Sequence, residues 1–250
     1  MGVTATTGDP LTKLAGQRIV ILGGSSGIGL ATAQAAAREG AAVVIASSRK
    51  RRVDEALVAL PAGAEGQALD LTDEPAVKAF FAELGPFDHL AFTAGETLQL
   101  GRLAETDIAT ARGFFALRYW GAFMAAKYGS GHIRPGGSIV FTSGLAGWRP
   151  HAGWSLGASI CAAMEGLTRA LAVELAPTRV NIVSPGVVKS PLWANMTTAD
   201  RDALYRQTAA KLPVAHIGEV EEIAEAYLYL MRQTYGTGEV LRVDGGGAIV

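Results

Sequence analysis

Seven residues near the N-terminus, Gly23-Gly24-Ser25-Ser26-Gly27-Ile28-Gly29, restrict what this chain can become. They follow a short β-branched run at 18–22 and precede an alanine-rich segment, 30–39, which stops at Gly40, a residue suited to ending a helix. A second apolar run, 41–46, comes next. Strand, glycine turn, helix and strand in that order make a βαβ unit. Glycines in such a turn let the backbone approach a pyrophosphate, held by the free N–H groups of the following helix. An ordinary tight turn is the plainer reading of a glycine string; the flanking elements favour a dinucleotide site.

The alternation continues down the chain. Strand-like runs recur at 66–70, 89–93, 138–142, 179–183 and 239–243, with helical stretches at 74–84, 106–128, 155–175 and 220–233. Strands buried on both faces and separated by amphipathic helices belong to a parallel sheet covered on each side. The expectation is an α/β chain: a Rossmann-type doubly wound parallel seven-stranded sheet with helices on both faces and right-handed crossovers, one domain over 1–250. A chain of this length buries about 70% of its unfolded surface, enough for one large core. Residues 1–13 read as a flexible arm. Segment 186–218 mixes Pro, Trp, Met and polar residues with weak periodicity and reads as a lid over the carboxyl end of the sheet.

Formal net charge is −1, which argues against nucleic-acid or anionic-membrane binding, since both draw on a large positive field. No apolar run approaches the roughly 18 residues that cross a bilayer. The start of the chain lacks the basic and apolar regions of a signal peptide, so the expected location is the cytoplasm. The single cysteine, Cys161, forbids an internal disulfide or a cysteine-based zinc site and reads as a small buried apolar residue. No cluster has metal-ligand spacing.

About 20 residues beyond the glycine turn, the end of the second strand holds an acid where a ribose 2′-hydroxyl is bound. This chain reads Ala46-Ser47-Ser48-Arg49-Lys50-Arg51-Arg52 instead. An acid repels a 2′-phosphate, whereas hydroxyl, guanidinium and ammonium groups bind it through charge-assisted hydrogen bonds. A solvated basic helix start is the alternative. Basic charge at a helix N-terminus opposes the macrodipole, however, so a bound anion is the easier explanation. The cofactor expected is NADP(H), with Arg49 and Ser48 foremost on its 2′-phosphate and Lys50 beside them.

At these residues the chain resembles the short-chain dehydrogenase/reductase family, from about residue 14 to the C-terminus. Gly23, Gly27 and Gly29 fall on the family's TGxxxGxG motif, with Leu22 in place of its threonine, and Ser25, Ser26 and Ile28 complete the turn. The resemblance implies further cofactor contacts. Asp70-Leu71 stands where the family meets adenine, and Phe92-Thr93-Ala94-Gly95 takes the place of Asn-Asn-Ala-Gly. Pro185-Gly186-Val187-Val188-Lys189-Ser190 resembles the segment that holds the nicotinamide carboxamide, with Ser190 at the usual threonine. Val243-Asp244-Gly245-Gly246 resembles the final strand and its turn.

The family's catalytic groups are a serine, a Tyr-x-x-x-Lys pair and an assisting asparagine. Ser143 matches the serine. Counting onward at the family's spacing puts Leu156 at the tyrosine and Ile160 at the lysine, and the helix downstream reads through without a gap. Arg118 replaces the asparagine, and no Tyr-x-x-x-Lys occurs anywhere in the chain. Leucine and isoleucine carry no ionisable atom. Losing general acid–base help worth about 10²–10⁴-fold speaks against ordinary ketone reduction. Three residues remain as catalytic candidates: Ser143 as a hydrogen-bond donor, Arg118 as a replacement positive charge on ribose or substrate, and His151 as an alternative proton donor. Their plainer readings are a turn serine, an arginine facing solvent or paired with a carboxylate, and a surface histidine. His89, His132 and His216 read as structural. Trp148, Trp154 and Trp193 border the cleft, whereas Tyr119 and Trp120 read as core or subunit contacts.

These residues support an NADP(H)-dependent oxidoreductase with an atypical site. An iminium carbon already carries positive charge and accepts hydride with no proton donor, so an iminium or other activated substrate fits, and binding and orientation supply the acceleration. The alternatives are a non-redox NADP(H)-binding protein and a cofactor-assisted isomerase or cyclase. The partners expected are a bulky, apolar small molecule and, by resemblance, further copies of the chain as a tetramer or dimer. Those copies meet through the helices at 106–128 and 155–175 and the C-terminal edge with Ala248-Ile249-Val250.

Overall fold

The computed structural model describes residues 14–96, 98 and 100–250, so the arm expected over 1–13 lies outside the described residues. Strands β1 (Arg18–Leu22), β2 (Ala42–Ser47), β3 (Glu65–Ala68), β4 (Phe87–Phe92), β5 (Ile133–Thr142), β6 (Arg179–Pro185) and β7 (Val240–Val243) form one sheet. Its order is β3-β2-β1-β4-β5-β6-β7, with every pairing parallel. Side chains alternate across β1. Ile19 and Ile21 join Ala33, Ala36 and Tyr227 on one face, and Val20 and Leu22 join Phe81, Phe141 and Leu167 on the other. Helices α1 (Gly27–Arg38), α2 (Lys50–Val58) and α8 (Val220–Arg232) cover the first face. The second is covered by α3 (Glu74–Leu84), α5 (Ala122–Gly129) and α6 (Ser155–Glu174). The doubly wound seven-stranded sheet is thus the one the sequence predicts.

Alanines 31, 33, 35 and 36 keep the buried side of α1 thin against α8. Both ends of α8 are satisfied. Glu219 and Glu222 form a reciprocal cap at its start, and the buried Arg179 guanidinium donates to the Leu230 and Met231 carbonyls at 2.7 and 3.0 Å.

Three elements depart from expectation. The stretch 106–128 is not one helix: α4 (Ile108–Phe115) passes into a π-turn, Ala116–Gly121, before α5 begins. Helix α2, and α7 (Thr198–Ala209) inside segment 186–218, are additional. Both are mostly polar: α2 buries only Val53 and Ala56 beside its Lys50–Asp54 and Arg51–Glu55 pairs, and α7 buries no residue. Helix α6 is long and apolar enough to span a bilayer by length and composition alone. Its Met164, Leu167 and Leu171 are instead buried against the sheet.

Strand β4 carries a buried histidine. His89 Nδ1 lies 2.8 Å from Ser138 Oγ, and Nε2 lies 2.8 Å from Gln17 Oε1. An amide oxygen only accepts, so Nε2 bears the proton and Nδ1 accepts from the Ser138 hydroxyl. Burial, aided by the Arg179 charge, lowers the His89 pKa to about 4. The unfolded chain takes up this proton near pH 6.5. Stability is therefore full above pH 6.5 and falls as the pH drops toward 4, by about 3 kcal/mol at most. Urea unfolding followed from neutral to acid pH should show that slope, and His89→Gln should flatten it; an equal slope in both proteins refutes the account.

Candidate functional site

The winding reverses between β1 and β4, which opens a crevice at their carboxyl ends. The glycine turn fills it. Gly23 has φ +92°, and a Cβ there would stand 2.5 Å from Ala94 N. A Cβ on Gly29 would stand 2.3 Å from the Gly23 carbonyl oxygen and 2.4 Å from Thr93 Oγ1, so only glycine lets α1 begin this close to the strands. Ser26, at the N-cap, makes no side-chain cap bond, and the first turn carries no acid. The amides of Gly27, Ile28 and Gly29 have no acceptor within the helix and point to an anion site.

Ser25 Oγ donates to Ser47 Oγ at 2.8 Å, tying the glycine turn to the end of β2. Ser47 therefore faces the turn, and Ser48 stands exposed beside it. Arg49, the N-cap of α2, makes no side-chain cap bond and has no ion pair among the described residues. Lys50 is paired within its own helix. Its Nζ bridges both Asp54 oxygens at 2.9 Å, drawn along its own helix by the i,i+4 spacing rather than gathered with Arg49.

Across the crevice, the Asp70 carboxylate accepts from Thr72 N and Oγ1 at 2.9 and 2.7 Å, bonds that hold its pKa below the usual range. Leu71 beside it is buried. Thr93 N and Oγ1 both donate to the Leu22 carbonyl, at 2.8 and 3.1 Å, so Ala94 and Gly95 leave the sheet next to Gly23. Segment 186–218 crosses the same end. After Pro185, Gly186 N donates to the Val243 carbonyl at 3.0 Å, and the Val188 carbonyl accepts from the Trp193 indole at 2.9 Å. Ser190 leads into Pro191, whose Cδ would lie 3.2 Å from a Cβ on Gly27. Tyr205 of α7 accepts from the Ser190 N–H, and burial raises its phenol pKa.

Five polar side chains gather between β4, the π-turn, β5 and α6. Ser143 Oγ is bonded to Glu165 Oε1 at 3.0 Å and to the Cys161 carbonyl at 3.2 Å. The Cys161 thiol lies beside them, its pKa pushed up by burial. Arg118 Nε donates to Glu96 Oε2 at 3.2 Å, and the same guanidinium bonds the Glu96 carbonyl. Its Cζ lies 5.3 Å from the Phe114 ring centre and would be 2.7 Å from a Cβ on Gly95. Burial lowers the Arg118 pKa and the Glu96 charge opposes it. The carboxylate-paired reading of Arg118 is the one realised. Neither Glu96 nor Glu165 is singled out by the sequence, although Glu165 shares a helix face with Cys161, four residues before it.

Of the two positions counted as the tyrosine and the lysine, neither is hydrogen-bonded to Ser143 among the described residues. Leu156 lines an outer groove with Ile108, Phe115 and Trp120, and Ile160 is buried. The turns of α6 that meet Ser143 carry Cys161 and Glu165, with Gly157 one turn earlier. His151 is exposed, its ring 5.9 Å from Trp154, and no hydrogen bond joins it to Ser143 among the described residues. Trp154 in turn meets the buried Trp193 at 6.4 Å, an aromatic wall linking the loop before α6 to segment 186–218. The described residues hold no group of His, Cys, Asp or Glu fit for a metal ion.

Known proteins share this fold. Residues 11–250 match the SDR-like Rossmann domain family. The short-chain dehydrogenase/reductase ATR9 of Stachybotrys chlorohalonatus is 37% identical, over 94% of this chain and 98% of its own. A small-chain dehydrogenase solved in complex with NADPH superposes with a TM-score of 0.80 at 35% identity, covering 94% and 99% of the two chains. The MalC reductase/Diels-Alderase from Malbranchea aurantiaca gives 0.87 at 31% identity, covering 94% and 98%. Motif order, sheet order and these likenesses agree: the chain belongs to the short-chain dehydrogenase/reductase family.

Proposed function

We propose that this protein is an NADP(H)-dependent reductase that directs hydride to an iminium or similarly activated carbon without a tyrosine acid. One juxtaposition carries the reading: a complete dinucleotide cradle opens beside a helix whose facing turns hold Gly157 and Cys161. NADP(H), when bound, supplies the hydride. The uncapped start of α1 receives its pyrophosphate, and Arg49 with Ser48, at the equally uncapped start of α2, receives the 2′-phosphate. The NADPH complex of the similar small-chain dehydrogenase supports this choice. Segment 186–218 acts as the lid that excludes water, and the Trp154–Trp193 wall holds a bulky apolar substrate. The name of MalC joins reduction to cyclisation, which favours a cofactor-assisted cyclase as the second reading.

NADPH should bind more tightly than NADH, and Arg49→Ala should weaken NADPH alone, by about tenfold, in calorimetry. Reduced-nicotinamide absorbance should then fall with cyclic imines or enones and hold steady with ketones. Tight binding without consumption of any of these would favour a non-redox role. Arg118→Ala strips the half-buried Glu96 carboxylate of its partner and should lower turnover or NADPH affinity several-fold; wild-type kinetics would remove Arg118 from the site.

Assembly follows from the outer groove. Trp120 is 55% exposed, meets Phe123 edge to face at 5.9 Å and rims that groove with Ile108 and Leu156, an apolar face that a second copy covers. Sedimentation should report a dimer or tetramer, and Trp120→Glu should shift it toward monomer. A wild-type monomer refutes the proposed interface.

A further inference from the structure

We infer that Glu165 turns Ser143 into a hydrogen-bond acceptor, so that the site selects substrates bearing an N–H cation, protonated imines above all, over neutral carbonyl compounds. The inference deepens the reductase reading and rests on it for the hydride step. A serine hydroxyl has one proton and two acceptor lone pairs. The Ser143 proton has two acceptors within reach, Glu165 Oε1 at 3.0 Å and the Cys161 carbonyl at 3.2 Å. A carboxylate holds such a proton more strongly than a neutral ketone oxygen does. One competing donor lies alongside, the Cys161 thiol, which is weak and occupies at most one lone pair. Ser143 therefore offers the cleft a lone pair. A carbonyl oxygen, itself a lone pair, gains nothing there, whereas an N–H is bound.

Charge points the same way. The cluster around Ser143 holds two carboxylates, Glu96 and Glu165, and one guanidinium, Arg118, which is already bonded to Glu96. Glu165 has no ion pair among the described residues, so its charge stays available to a cation bound through Ser143. The reaction balances without a proton donor. Hydride from the reduced nicotinamide adds to the imine carbon, the C=N π pair becomes the nitrogen lone pair, and oxidised cofactor and neutral amine result. The N–H proton stays on nitrogen throughout. Glu165 is thus a positioning residue, acting on substrate through Ser143.

Steady-state kinetics with dihydroisoquinoline, its N-methyl iminium salt and tetralone test this, with NADPH calorimetry as the control. The wild type should show a KM for the N–H imine about tenfold or more below that for the N-methyl salt. In Glu165→Gln the amide can donate to Ser143 and free its proton, so that ratio should collapse and tetralone should bind more tightly, with NADPH affinity unchanged. Glu165→Asp should recover part of the ratio. An undiminished ratio in Glu165→Gln overturns the inference. Should no substrate be reduced, the reductase reading fails, and binding of tetrahydroisoquinolinium to the NADP+ complex decides the inference alone. A loss of about tenfold in Glu165→Gln upholds it, and equal binding overturns it.

Discussion

A missing side chain holds the crevice together. Because Gly29 lacks a Cβ, the first turn of α1 rests directly on the Gly23 carbonyl and the Thr93 hydroxyl, and the helix start meets the strand ends without intervening atoms. Any larger residue lifts α1 off β1 and β4, and with it the layer that α1 shares with α8. The anion-binding amides, the core of one sheet face and the approach of Pro191 to Gly27 are therefore consequences of a single close contact. Alanines along the inner side of α1 extend the same economy of volume up the helix.

Beside that frame, bonded polar side chains fill the region between β4, the π-turn and α6. Arg118 and Glu96 satisfy one another at the lip of β4, and Glu165 takes hold of Ser143 from the facing side of α6. Each pair fixes a side chain whose rotamers are otherwise free. Tyr227, the large phenol nearest β5 in the core, is fully buried and bonded to Thr142 Oγ1 at 2.5 Å. It sits in the cluster on the α1/α8 face and donates nothing to the cleft.

Much of the fold was legible in the chain. The alternation of Ile19 and Ile21 with Val20 and Leu22 declares a strand buried on both faces, and the glycine turn declares the helix that starts at its end. Helices α2 and α7 were illegible because α2 buries only Val53 and Ala56 in a charged stretch and α7 buries no residue, too little to show a period. The site was read in part. Gly23, Gly27, Gly29, Thr93 and Ser143 follow from motif spacing, whereas the pairing of Lys50 with Asp54 and of Arg118 with Glu96 depends on side-chain geometry that spacing does not carry. A glutamate on a helix reads as a solvated face, so Glu165 became visible only through its contact with Ser143.

The π-turn at Ala116–Gly121 has a consequence for comparing this chain with its kin. A π-segment takes up one residue more than the α-helix it interrupts, and the helix beyond resumes its former course. Against a relative whose helix runs unbroken there, an alignment that places gaps only in loops shifts every pairing between the π-turn and the next gap by one residue, so the gap that keeps register belongs inside this turn.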